Sequence, residues 1–110
     1  MGAIFVQDDD MVDYTPGADT AAGAVIVQND LVGVTKRPIA ANALGALAVE
    51  GIFDFPKSTA GGSAIGAGVT VYWSASAQQA TATSAGNKLL GKTTKAAADA
   101  DATVRVRLQQ

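Results

Sequence analysis

The sequence predicts an all-β fold: a small β-barrel or sandwich of short strands, with at most one or two short helical turns. Three observations carry this reading. Apolar residues alternate with period 2 rather than 3.6, most cleanly in Val104-Arg105-Val106-Arg107-Leu108. Two β-branched and aromatic runs, Val25-Ile26-Val27 and Val69-Thr70-Val71-Tyr72-Trp73, each lie just after a glycine. Turn signals punctuate the chain at Pro16-Gly17, Asn29-Asp30, Arg37-Pro38, Gly61-Gly62 and Gly86-Asn87, close to the spacing of about 8–12 residues expected of a sandwich or barrel.

In chain order, Ile4-Phe5-Val6 and Met11-Val12-Asp13-Tyr14 read as two short strands flanking an acidic turn at Asp8 to Asp10. Val25 to Val27 and the Leu31-Val32-Gly33-Val34 run follow as strands. From Leu44 to Phe55, the residues Leu47, Val49, Phe53 and Phe55 alternate, and Gly51 suggests a bulge or a close backbone approach. Ser74 to Gly86 is polar and reads as a loop or an exposed hairpin. The only helix candidates are the Ala-rich stretches Ala40 to Ala46 and Ala96 to Ala102, each long enough for a turn or two.

A weak internal repeat organises these elements. Ala22-Gly23-Ala24-Val25 resembles Ala67-Gly68-Val69-Thr70, and Leu31-Val32-Gly33-Val34-Thr35 resembles Leu89-Leu90-Gly91-Lys92-Thr93. An Ala-rich stretch follows each, and Leu47-Ala48-Val49-Glu50 is set against Val104-Arg105-Val106-Arg107. The expected organisation is one domain with N-terminal strands over residues 1–15, a first β unit over 21–55 and a second over 65–108.

Composition narrows the function. The 110 residues are 48% hydrophobic, but 23 of them are Ala, so the bulky core is thin and an oligomer or a partner would bury more surface. There is no His and no Cys, which removes Cys/His zinc sites, nucleophilic dyads that use His, and disulfides. Net charge is −2 and aromatics are 5%, a poor basis for nucleic-acid binding. No apolar run reaches the ~18 residues of a membrane span. The first residues lack a basic signal-peptide region, so a soluble, unprocessed product made in the cytosol is expected.

Gly86-Asn87-Lys88-Leu89-Leu90-Gly91-Lys92-Thr93 fits the phosphate-cradling pattern G-x-x-x-x-G-K-[ST]. That chemistry needs a buried strand before the loop and a helix after it. Here the preceding residues are polar and little chain remains, so the repeat offers the better reading, a strand with a glycine in it. Asp8 to Asp10 with Asp13 read as a solvated turn rather than a cation site. Glu50 and Asp54 read as solvated charges on a strand face. No catalytic, cofactor or metal residue is assigned. Tyr72 and Trp73 must face opposite sides of a strand, one core and one exposed or at an interface. Arg105 and Arg107 share one face and either pair with acids of a neighbouring subunit or stay solvated.

Taken together, several units resemble a family of small tailed-phage head proteins that includes capsid decoration, or cement, proteins. They are Phe5-Val6-Gln7, Val12-Asp13-Tyr14-Thr15, Ala21-Ala22-Gly23 with Val25-Ile26-Val27, Leu31-Val32-Gly33-Val34, Ala48-Val49-Glu50-Gly51-Ile52-Phe53, Pro56-Lys57, Val71-Tyr72-Trp73 and Val104 to Leu108. Departures lie in Ser74 to Gly86 and at Asn42, where many such sequences turn with Gly. The resemblance implies an all-β protein that binds the outside of the virion capsid as a homo-oligomer, with the major capsid protein as partner; a trimer is expected rather than a dimer because cyclic assemblies suit lattice symmetry axes. It implies no enzyme, cofactor, nucleic acid or membrane. Some members carry the label RecA/RadA-like phage recombinase; such a function needs a nucleotide-binding core and basic DNA-binding loops, which these residues do not supply. Terminal strands are available for pairing with another chain, and tryptophan is enriched where partners bury it, so the expected contact residues are Ile4, Phe5, Val12, Tyr14, Trp73, Arg105 and Arg107. The alternative is a host-surface or ligand-binding module acting through the Ser74 to Gly86 loop.

Overall fold

The computed structural model describes residues 2–3 and 11–109. Among them nine strands form: β1 (Met11–Tyr14), β2 (Val25–Gln28), β3 (Leu31–Thr35), β4 (Gly45–Ala48), β5 (Gly51–Pro56), β6 (Thr70–Ser74), β7 (Gln79–Thr81), β8 (Lys88–Thr93) and β9 (Thr103–Leu108). They make two antiparallel sheets, ordered β1-β4-β3-β2 and β5-β9-β8-β6-β7. The arrangement is sandwich-like and does not close into a barrel.

Local sequence explains the elements. In β9 burial alternates with the side chains, Val104, Val106 and Leu108 inside and Arg105 and Arg107 outside, as period 2 requires. The β2–β3 hairpin turns through Asn29, whose φ of 54° suits an asparagine. The polar Ser74 to Gly86 stretch holds the β6–β7 hairpin, with Gln78 at φ 55°. Neither Ala-rich stretch becomes a helix. Each makes a single hydrogen-bonded turn, Ala43 N–H to Ala40 O and Asp101 N–H to Ala98 O, and in the first the chain turns at Asn42 with φ 63°.

The core is one cluster spanning both sheets. Val32 and Val34 of β3 join Phe55, Val71, Trp73, Leu90, Val104, Val106 and Leu108 of the second sheet. Trp73 packs against Phe55 with ring centroids 6.1 Å apart, and Phe53 meets Phe55 edge-on at 6.2 Å. Each such fully buried large side chain contributes roughly 1.5–3 kcal/mol.

The internal repeat is a repeat of topology. The orders β1-β4-β3-β2 and β5-β9-β8-β6 correspond strand for strand, and β7 is an addition to the second sheet. The match extends to side chains. Thr35 Oγ1 accepts from Ala24 N–H at 2.9 Å and donates to Ala21 O at 2.8 Å. Thr93 Oγ1 accepts from Val69 N–H at 3.0 Å and donates to Gly66 O at 2.6 Å. The bridges Thr20–Ile39 and Ile65–Ala97 also correspond.

Two expectations need correction, and one is extended. β5 does not belong with the first unit, because the chain leaves the first sheet at Val49-Glu50 and β5 opens the second sheet. Residues 11–14 form the expected strand, which joins the first sheet, paired to β4 from Met11–Ala48 to Tyr14–Gly45. The closing strands align two residues later than the sequence comparison set them. Leu47 lies opposite Thr35 and Val106 opposite Thr93, so Leu47 corresponds to Val106 and not to Val104.

Candidate functional site

The expected contact residues do not gather in one place. Ile4 and Phe5 lie outside the described residues, as does the acidic turn at Asp8 to Asp10. Val12 and Tyr14 are half-buried on β1. Trp73 is 2% exposed and fills the protein's own core, so it is not a surface contact; it points inward because Val71 and Trp73 share the buried face of β6. Its neighbour Tyr72 occupies the opposite, half-exposed face. Arg105 and Arg107 point outward from β9.

Arg105 already has a partner. Its Nε donates to Asp54 Oδ1 at 3.0 Å and its Nη2 to Asp54 Oδ2 at 3.3 Å, across the β5–β9 register. The hydrogen bond from Arg105 holds the Asp54 carboxyl below the usual carboxylate range, and Asp54 raises Arg105 in turn. Asp54 is thus a strand-face ion-pair partner. Glu50 lies before β5 rather than on it, so the two acids do not share a strand. A second ion pair among the described residues joins Lys88 to Asp30 at 2.8 Å.

Lys57 was not singled out from the sequence. It is 3% exposed, and its Nζ donates to Ser58 O (2.6 Å), Ala98 O (2.9 Å), Asp101 O (3.1 Å), Asp99 O (3.2 Å) and Ser63 Oγ (3.3 Å). The ammonium sits in a cage of oxygens that ties residues 57–63 to the 98–101 turn. Asp99 completes the junction by accepting from Ala64 N–H at 2.7 Å. Backbone N–H groups of Gly62 and Ala64 hold the Asp99 carboxyl below its ordinary range.

Asp30, Asp54 and Asp99 all have lowered pKa values. Each therefore contributes stability that is present above the ordinary carboxylate pKa and lost as pH falls through the depressed folded value. Unfolding is expected to set in below about pH 4, followed by circular dichroism. Asp99→Asn should flatten part of that acid limb, and an unchanged limb in this variant would deny the carboxylate its role.

The Walker-like string forms a strand. Lys88 to Thr93 is β8, paired on both sides, to β6 and to β9. A strand in the sheet interior cannot wrap its N–H groups around a phosphate. Gly91 is there for packing. A Cβ at this position would run into the carbonyl oxygen of Arg107 on β9.

Several grooves mark the surface of the described residues. One of about 620 Å³ is lined by Met11, Lys36, Arg37, Leu44 and their neighbours, with Leu44 72% exposed. Another, of about 480 Å³, lies on the outer face of the second sheet between Thr70, Leu89, Lys92, Arg107 and Gln109. The cleft beside β7, about 210 Å³, has hydroxyl and amide side chains but no aromatic ring in its lining. Among the described residues no group of three or more acidic side chains gathers as a metal site would require. No helix among them is long and apolar enough to cross a membrane.

A two-sheet antiparallel β protein with ion pairs on its strand faces and a lysine caged at a turn junction has the build of a structural or binding protein. Its sequence agrees with that class. The chain belongs to the phage cement protein family, which matches it over residues 6–108, nearly its whole length. That family is structural and associated with the phage capsid. No curated protein and no solved structure matches the chain.

Proposed function

We propose that this protein is a decoration protein that binds the outside of a phage capsid through the major capsid protein and stabilises the shell. The family match over residues 6–108 carries the reading. The physical logic fits. A protein that binds the assembled shell and not its parts stabilises it by mass action. Modest contacts at many equivalent sites gain strength when subunits are linked. The protein acts as a homo-oligomer, a trimer rather than a dimer, because cyclic assemblies suit lattice symmetry axes. Its contacts run through the Ile4 to Tyr14 segment and the outward face of β9.

The test is capture by expanded heads that lack the protein. Purified protein is expected to co-sediment with them and to raise their resistance to heat and chelator. Heads that neither retain it nor gain resistance would refute the proposal. The ligand-binding alternative receives no support from the cleft beside β7, whose lining offers no ring on which a ligand could stack.

A further inference from the structure

We infer that the outer face of the second sheet is the docking site for the acidic β1 end of a neighbouring copy of this chain. The inference rests on the oligomeric decoration reading above and names the contact that builds the oligomer.

One cross-strand row defines the face. Ile52 of β5 lies opposite Arg107 of β9, Arg107 opposite Lys92 of β8, and Lys92 opposite Thr70 of β6. Ile52 is 60% exposed, and Leu89, which lines the same groove as Lys92 and Arg107, is 39% exposed. Lys92 and Arg107 are exposed and form no ion pair among the described residues. Like charges directly opposite on a sheet repel. The contrast with the adjoining row is informative, because there Arg105 is matched by Asp54. The sheet thus compensates one of its outward arginines and leaves two cations together at the rim of a groove of about 480 Å³. A carboxylate set between them would remove the repulsion and accept charge-assisted hydrogen bonds from both. Apolar neighbours around an arginine are the usual makings of a protein contact.

The charge distribution names the occupant. Asp30 and Asp54 are ion-paired, and Asp19, Asp99 and Asp101 accept from backbone N–H groups. Asp13 and Glu50 are exposed and make no ion pair among the described residues, and of the two only Asp13, on β1, adjoins further acids in the sequence, Asp8, Asp9 and Asp10. A second copy therefore brings a concentrated acidic segment to a face with two uncompensated cations. The two surfaces differ, so the contact is heterologous. Such contacts close into rings when the rotation permits, which is how a cyclic trimer is built.

The test uses purified full-length protein and light-scattering mass against concentration and salt. Three variants are compared with the parent: Lys92→Glu with Arg107→Glu, Asp8→Lys with Asp10→Lys and Asp13→Lys, and all five together. Circular dichroism melts confirm that each retains the fold. Either single-face reversal is expected to weaken assembly at least ~tenfold, and 1 M salt to weaken the parent. The combined swap is expected to restore the parent's mass. A parent that is monomeric throughout, a face reversal that leaves mass unchanged, or a swap that fails to restore it would overturn the inference. If Lys92→Glu with Arg107→Glu abolishes head capture but leaves the oligomer intact, the face belongs to the shell and the self-contact is overturned. Oligomers that form and respond as expected but never bind heads would instead refute the decoration reading alone.

Discussion

Lys57→Met is expected to destabilise the protein by about 3 kcal/mol or more. The methionine keeps the length of the side chain but removes the donor from five oxygens, four of them backbone carbonyls. An acceptor left without any partner costs about 1–3 kcal/mol, less where water can enter; Ala98 O keeps the Asp101 N–H and Asp99 O keeps the Ser63 hydroxyl, so the loss falls mainly on the others. The 98–101 turn would lose its anchor, and with it the Ile65–Ala97 bridge that continues the junction. In urea the midpoint should fall by more than ~1 M, given the m-values of about 1–3 kcal/mol/M usual for small domains. The melting temperature should drop by more than ~10 °C. A variant whose midpoint moves only slightly would mean that the cage is solvated and the ammonium dispensable.

Gly91→Ala is expected to rank beside it, at about 3 kcal/mol or more. The added Cβ meets backbone on the neighbouring strand, the Arg107 carbonyl and the Gln109 N–H, which cannot swing aside like a side-chain tip. Relief requires β8 and β9 to part, at the cost of the ladder between Gly91–Leu108 and Thr93–Val106. Two other positions of the same string set the scale. Gly86→Ala meets no atom, and its cost of about 1 kcal/mol comes only from its φ of 74°. Lys92→Ala touches an exposed side chain and should stay within about 0.5 kcal/mol. The ranking Gly91, Gly86, Lys92 is read from equilibrium unfolding of the three variants. Equal costs at both glycines would show that backbone conformation and not strand contact sets the requirement.

The same positions show how far the sequence could be read. Alternation in Val104 to Leu108 specifies which side chains go inward, and the burial of β9 follows it. Gly23 with Gly68 and Thr35 with Thr93 hold equivalent places because the threonine hydroxyl does the same local work in both units. Period 2 cannot tell which sheet a strand joins, however. The Leu44 to Phe55 run looks continuous, while the chain changes sheets at Val49-Glu50. The two-residue slip between Leu47 and Val106 has a similar cause. A shift by two keeps every side chain on its face, so the pattern does not oppose it. The preference of tryptophan for interfaces points Trp73 to a surface, whereas a thin core has more use for its volume. Lys57 was missed because its partners are backbone carbonyls, which leave no trace in the identity of residues 98–101.

The Lys57 cage also bears on how a chain with no cysteine ties distant segments together in the folded state. Residue 57 is held to residues 98–101, which closes a loop of more than 40 positions. A disulfide at this place would close the same loop and restrict the denatured ensemble. It would also open under reducing conditions and need an oxidant to form. An ammonium held by carbonyls re-forms whenever the chain refolds, needs no catalyst and is indifferent to redox potential. The junction is therefore a reversible staple that works equally well inside a reducing cell and outside it.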